Sequence, residues 1–233
     1  MKKNKTVKVI ELGQKPYSES LEIQEKYFNK IIDLKRSNRK NVTFVPTDNY
    51  LLWVEHPPVF TLGKSGKMEH LLLDQQTLVK KGIEFYKTNR GGDITFHGPG
   101  QLVVYPILDL DNFFTDIHKY LRFLEQAVIN TLKEYGLKTK RSPSETGVWL
   151  DVGTPFARKI CAMGVRASRW VTMHGLALNL NIDLRYFDHI VPCGIQGKGV
   201  TSLAKELGKE IDIKLVKEKL KNHLGNLFDA KFD

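Results

Sequence analysis

The sequence predicts an α+β fold, and three observations carry that reading. Short apolar runs of strand character follow one another in series. Helical periodicity is confined to a few longer stretches set between them. Of the 233 residues, 41% are hydrophobic, which is ample for a core. A chain of this length buries roughly 70–75% of the surface that its unfolded form exposes. No internal repeat, low-complexity tract or Gly/Ser/Pro linker marks a boundary, so residues 1–233 are expected to form a single domain.

Taken in order, residues 1–8 carry Lys2, Lys3, Lys5 and Lys8 and read as a loosely tethered basic arm. Ser18–Ser37 reads as an amphipathic helix, with Leu21, Tyr27, Phe28, Ile31 and Ile32 on one face. Val42–Val45 and Tyr50–Glu55 read as a hairpin about Thr47-Asp48-Asn49, and His56-Pro57-Pro58 ends its second strand. Asp74–Lys81 is a short helix stopped by Gly82. Glu84–Thr88 and Leu102–Leu110 are strands on either side of a Gly-rich loop. In Asp116–Tyr135, residues Ile117, Tyr120, Leu121, Leu124, Val128 and Leu132 recur at helical spacing, with Gly136 as the stop. Strands follow at Gly147–Asp151, Lys159–Arg166 and Leu176–Ile182, and Ile213–Phe228 closes the chain as an amphipathic helix.

The formal net charge is +10, and most of the surplus lies early: residues 1–40 hold 11 basic and 5 acidic side chains. Such a surplus fits either a landing surface for an acidic partner or a solvated lysine-rich surface. The longest apolar run, Leu102–Leu108, is broken by Pro106 and falls far short of the roughly 20 residues of a membrane span. The apolar residues behind the basic start, Val7, Val9 and Ile10, are too few for a signal peptide. Two cysteines cannot form a disulfide framework. A cytoplasmic protein without a membrane association is expected.

Several motifs fail on inspection. Gly63-Lys64-Ser65 resembles the end of a phosphate loop, but position 58 is Pro where that loop needs Gly. Gly98-Pro99-Gly100 is no dinucleotide fingerprint, because Val103 stands at the third glycine and a strand follows. The seven histidines show no metal-ligand spacing, and no metal site is expected.

Two places carry more. Arg90-Gly91-Gly92-Asp93-Ile94-Thr95-Phe96-His97-Gly98-Pro99-Gly100-Gln101 packs four glycines into twelve residues between two apolar strands. Such a loop either brings backbone close to a ligand or makes a tight irregular turn. Its Arg90 and His97 are of the kind that orients or polarises a carbonyl. Cys193, between Pro192 and Gly194 in a polar stretch, is either a nucleophile or a packing cysteine. Lys159 sits in an apolar setting on a predicted strand, where its amine either finds a buried partner or snorkels to solvent.

These segments together resemble the lipoyl(octanoyl) transferase family. Arg90–Leu108 is similar to its signature loop and strand, and Glu55–Gly63 to its upstream segment. Lys159–Gly164, His174–Asn179 and Pro192–Gly194 follow in the family's order. The likeness spans about residues 42 to 205, and co-occurrence makes it specific. It implies one α+β domain with a mixed central sheet flanked by helices, similar to the catalytic domain of biotin and lipoate protein ligases. It also implies transfer of an octanoyl or lipoyl group from acyl carrier protein to a lysine. The acceptors are lipoyl domains of 2-oxoacid dehydrogenase complexes and the glycine cleavage H protein.

The family's nucleophile maps onto Cys193, and the lysine that tunes it onto Lys159. Its substrate contacts map onto Arg90, Gly91, Gly92, Asp93, Ile94, Thr95, Phe96 and His97, onto Ala162, Met163 and Gly164, and onto Gly175, Leu176 and Ala177. Phe96 stands where Tyr is usual, and Cys161 where Ala is usual. An extended Lys159–Met163 puts Cys161 on the same face as Lys159. A thioester is already activated, so its conversion to an amide runs downhill and no cofactor is expected. The rival readings are an ATP-dependent lipoate or biotin protein ligase and a basic nucleic-acid-binding module. The resemblance implies neither ATP nor nucleic acid.

Overall fold

The computed structural model describes residues 3–41, 44–143, 145–191 and 199–233. The chain runs β1 (Thr6–Gln14), α1 (Tyr17–Lys40), β2 (Tyr50–Glu55), β3 (Val59–Leu62), α2 (Gln75–Lys81), β4 (Glu84–Lys87), β5 (Ile94–His97), β6 (Gln101–Ile107) and α3 (Ile117–Lys133). It continues with β7 (Lys140–Arg141), β8 (Val148–Leu150), β9 (Arg158–Ser168), β10 (Val171–Asn179), β11 (Gly199–Val200), α4 (Leu203–Leu207), α5 (Ile213–Phe228) and β12 (Lys231–Phe232).

The main sheet has the order β12-β1-β2-β6-β10-β9-β8-β7, and β11 also pairs with β9. The β12–β1, β1–β2 and β11–β9 pairs are parallel, while β2–β6, β6–β10 and β10–β9 are antiparallel, so the sheet is mixed as expected. Side chains alternate across it with period two. Leu102, Val104, Leu176 and Leu178 meet α3 and α5, whereas Val103, Tyr105 and Ala177 meet Phe28, Ile31 and Ile32 of α1. The small sheet β4-β3-β5 carries its own core of Phe60, Leu62, Leu78 and Phe96. Helix caps follow local chemistry. The Asp74 side chain accepts from Thr77 N at the start of α2, and Gly82 ends it at φ +62°.

Several expectations are corrected. The basic start is no loose arm from Thr6 onward, because β1 is sandwiched between β12 and β2. Among the described residues, Tyr50–Glu55 has no hairpin partner at Val42–Val45. Val42 and Thr43 lie outside the described residues, Phe44 and Val45 are exposed, and β2 pairs with β1 and β6 instead. The intervening polar residues are spent on long-range bonds: Thr47 Oγ1 donates to Asp109, and Asn49 O accepts from Lys8 N. The Gly-rich loop encloses a strand, β5, antiparallel to β3. The last predicted strand begins at Val171 rather than Leu176. It is led in by a tight turn in which Arg169 and Trp170 take φ of +51° and +64° without the usual glycine or asparagine.

Candidate active site

A cavity of about 430 Å³ opens where the Gly-rich loop lies against β9 and β10, within the size range of small-ligand sites. Its wall includes Arg90, Gly91, Gly92, Asp93, Ile94, Thr95 and His97, then Ala162, Met163 and Gly164, then Gly175, Leu176 and Ala177, and also Lys159. Three stretches far apart in sequence, matched separately, therefore surround one space. Phe96 is the exception within 90–97. It lies on the other face of β5, stacked on Tyr186 at 4.4 Å and packed against Phe60, so it belongs to the small-sheet core. Strand alternation is the reason, since it sends Thr95 and His97 one way and Phe96 the other.

Glycine at two wall positions is forced by neighbouring backbone. Gly164 and Gly175 are register partners across β9 and β10. A Cβ on Gly164 would lie 2.5 Å from Gly91 O, and one on Gly175 would lie 2.1 Å from Val104 O. The loop docks on β9 through Gly91 N to Val165 O at 2.9 Å. The Arg90 guanidinium is buried and holds the loop, with Nη2 donating to Thr61 O and Oγ1 and Nη1 to Gly91 O.

The histidines around the cavity are neutral. Burial pushes His97 down to about 3, reinforced by His56. Burial likewise takes His56 to about 4 and His174, beside Arg90 and Arg166, to about 3. Their partners fix which nitrogen carries hydrogen. Gln101 Nε2 donates to the carbonyl of Phe96, which can only accept, so Gln101 Oε1 is the acceptor at 2.8 Å and His97 Nδ1 donates to it. In the same way His56 Nδ1 donates to Lys15 O, and its Nε2 accepts from the Tyr105 hydroxyl. His174 adopts φ +58° within β10, and its N–H is held by Gln24 Oε1 at 2.9 Å.

Lys159 Nζ lies 3.5 Å from Glu145 Oε2 and 4.5 Å from the centre of the Trp149 ring. The β8–β9 register slips here: Trp149 faces Lys159, but Val148 faces Cys161, so Ile160 is an extra residue on β9. That bulge overturns the expectation that Cys161 shares a face with Lys159. Lys159 lines the cavity, while Ile160 and Cys161 are both fully buried in the core against α3 and α5. Burial pushes the Cys161 thiol well above its ordinary pKa, so it is a packing residue.

Cys193 lies within 192–198, outside the described residues. The described residues on either side of that segment do reach the site. Ile190 and Val200 line the cavity, and Val200 pairs with Lys159 through β11. Sequence reasoning missed Glu145, Tyr17, Gln101 and Asn179 as wall residues. The signal available for Glu145 was a lone acid immediately before an apolar strand. Tyr17, drawn from the start of α1, gave none.

The fold that carries this cavity is shared with solved lipoate protein ligases. The bipartite lipoate protein ligase of Thermoplasma acidophilum superposes with a TM-score of 0.71 over 98% of this chain and 86% of that one, at 16% identity. An ATP-bound lipoate-protein ligase A superposes with a TM-score of 0.69 over 99% and 87%, at 15% identity. At such identities the likeness is one of fold. Residues 16–225 match the lipoyl protein ligase A/B catalytic domain family. The octanoyltransferase of Christiangramia forsetii is 67% identical over 98% of both chains, and that of Flavobacterium johnsoniae 64% identical over 98% of this chain and 99% of its own. The chain belongs to this family and, within it, to the octanoyltransferases: it is an acyltransferase that moves an octanoyl group in protein lipoylation.

Proposed function

We propose that the enzyme takes the octanoyl group from the thioester of acyl carrier protein, holds it as a thioester on Cys193, and passes it to a lysine of a lipoyl domain. The acceptors are those of 2-oxoacid dehydrogenase complexes and the glycine cleavage H protein. What carries the reading is the placement of Lys159, a cation on the wall of an apolar cavity whose rim includes both described flanks of the Cys193 segment. A free thiol is only a few per cent thiolate at neutral pH, and an adjacent ammonium favours the thiolate. The octanoyl chain lies among Val103, Met163, Leu176 and Ala177, where each buried methylene contributes about 0.8 kcal/mol.

Lys159 gives its proton to the leaving carrier thiolate and later takes one from the attacking lysine. Residues 1–233 act as one catalytic domain, and the reaction takes place in the cytoplasm. No helix among the described residues is long and apolar enough to cross a membrane. Intact-mass spectrometry after incubation with octanoyl-acyl carrier protein, without ATP, tests the proposal. A single octanoyl adduct on Cys193, discharged by a lipoyl domain, is expected. Wild-type transfer by Cys193→Ser overturns the covalent route, and a strict need for ATP overturns the choice of donor.

A further inference from the structure

Gly63-Lys64-Ser65 looks like the end of a phosphate loop, but its main-chain donors have another use. Gly63 N donates to Asp93 O at 3.2 Å, Lys64 N to Arg90 O at 2.9 Å and Ser65 N to Gly92 O at 3.1 Å. A Cβ on Gly63 would lie 2.2 Å from Gly92 O, so glycine is needed for this approach. A few residues on, the same stretch pairs with a different part of the chain. Val191 N donates to His70 O at 2.8 Å, Leu72 N to His189 O at 2.9 Å, and Leu71 bridges Ile190. Gly91, Gly92, Asp93 and Ile190 all line the cavity. Residues 63–72 therefore form a strap laced to two cavity walls that lie far apart in sequence.

A side-chain bond ties the far end of the strap back to the first wall. His70 Nδ1 donates to Asp93 Oδ2 at 2.6 Å, with the two side chains 16% and 10% exposed. A carboxylate only accepts, so Nδ1 carries the hydrogen. The other Asp93 oxygen, Oδ1, accepts from Ile94 N at 2.7 Å. A Cβ on Gly66 would lie 2.5 Å from that same oxygen, so strap and carboxylate are packed without slack. Apolar burial does little for this part of the strap. The turn Met68–His70 buries none of its residues, and Lys64, Ser65 and Lys67 are exposed. A hydrogen bond to a carboxylate is about twice as strong as one between neutral groups.

We infer that His70 is a positioning residue for the octanoyl group: through Asp93 it fixes the Gly-rich wall of the cavity against the Ile190 wall. His70 does not itself line the cavity. Without its bond, Asp93 Oδ2 loses a partner in a nearly buried place, and the carboxylate turns towards water and takes the loop with it. A gap of about 0.5–1 Å between wall and chain forfeits a quarter to a half of each contact. Contacts with the methylenes of the chain do not change as the carbonyl reacts, so they are equal in the ground and transition states. Their loss raises KM and leaves kcat.

Steady-state kinetics and direct binding test this inference. His70→Leu removes the donor, whereas His70→Asn puts an amide N–H where Nδ1 stood. The kinetic arm uses octanoyl-acyl carrier protein and so rests on the donor proposed above. There, His70→Leu is expected to raise the donor KM about tenfold, with kcat within about twofold and the lipoyl-domain KM unchanged. His70→Asn is expected to recover most of that loss. Isothermal titration with octanamide, which needs no transfer chemistry, is expected to show the same loss and the same recovery. His70→Gln, whose amide falls at the Nε2 position, removes the same bond and replaces His70→Leu should that variant fail to fold. Unchanged octanamide affinity without the bond overturns the role of His70, and so does a fall in kcat at constant KM. Equal loss in His70→Asn and His70→Leu also overturns it, because the ring and not the bond then matters. If the wild-type protein takes nothing from octanoyl-acyl carrier protein, the donor reading falls, and octanamide affinity still decides for or against His70.

Discussion

His97 Nδ1 donates to Gln101 Oε1 at 2.8 Å, and that bond begins a directed polar chain across the site. Gln101 Nε2 donates to Asn179 Oδ1 at 2.9 Å, and Asn179 Nδ2 to Thr201 O at 2.9 Å. Thr201 N in turn donates to Lys159 O at 2.9 Å. The Gly-rich loop and the backbone of Lys159 are thus held in one frame, and His97 is a strut in it. A ring so engaged is a poor proton acceptor, so the proposed route gives the part of base to the amine of Lys159.

Acid should destabilise the protein early. His56, His97 and His174 sit at about 4, 3 and 3 when folded, below the ordinary histidine value near 6.5. The unfolded chain therefore binds more protons than the folded one between those limits. Stability is complete above about pH 6.5 and is lost as pH falls towards 4. With three such groups the slope approaches about 4 kcal/mol per pH unit. Urea midpoints at pH 7, 6 and 5 measure it, and His56→Gln should flatten the slope by about a third. A midpoint unchanged from pH 7 to 5 rules the account out.

Removing the central amide of the polar chain should be costly without touching the reaction's bond-making groups. Gln101→Leu leaves the His97 N–H, the Phe96 carbonyl and the Asn179 carbonyl without their buried partner. Orphaned buried groups of this kind cost about 1–3 kcal/mol each before relaxation. A total loss of about 2–4 kcal/mol is expected in denaturant unfolding. A loss below 0.5 kcal/mol, on the order of an ordinary surface change, would show that the chain contributes little.

Much of this was legible in the sequence, and what was not has physical causes. The apolar run of β6, buried on both faces, and the helical spacing of α3, buried on one, are each a strong local signal, so both elements were found. In β1 only Val7 is fully buried, and the strand is held by pairing on both sides rather than by an apolar stripe, so no local pattern announced it. Part of the cavity wall, along the Gly-rich loop, β9 and β10, was located through motif likeness. Their convergence on one space depends on the β9–β10 hairpin, whose turn lacks the usual residues. The Ile160 bulge decides which side of β9 faces the cavity, and a single inserted residue leaves no mark in a run of apolar side chains.

Gly164 and Gly175 are opposite each other, yet alanine should act differently at each. At Gly164 the new methyl meets Gly91 O, which belongs to the loop, so the loop must lift off β9 and its bond to Val165 O weakens. Gly164→Ala is expected to raise the KM for the octanoyl donor about tenfold, with a stability loss of about 1–3 kcal/mol. At Gly175 the methyl meets Val104 O of the central strand β6, which has no room to move. Gly175→Ala should chiefly destabilise. Steady-state kinetics and urea unfolding on both variants check the contrast, and a normal KM in Gly164→Ala defeats it.

Lys159→Arg separates the two tasks that the proposed route gives to one amine. Arginine keeps a positive charge within reach of Glu145 and the Trp149 ring, the groups that Lys159 meets at 3.5 and 4.5 Å. It cannot serve as a base in a protein, because its pKa is above about 12. Charge alone suffices to favour a thiolate at Cys193, so the variant should still acylate, more slowly because the larger head sits differently. Transfer is another matter. The acceptor nitrogen must lose a proton as the amide forms, and His97, held at about 3 and bonded through both ring nitrogens, does not take it. General-base assistance is worth about 10²–10⁴-fold, so the octanoylated variant should accumulate and discharge slowly to a lipoyl domain. Rapid-quench mass spectrometry that follows acylation and discharge separately reads both steps. Discharge at the wild-type rate would show that the base lies elsewhere, and failure to acylate at all would show that charge alone does not activate the thiol.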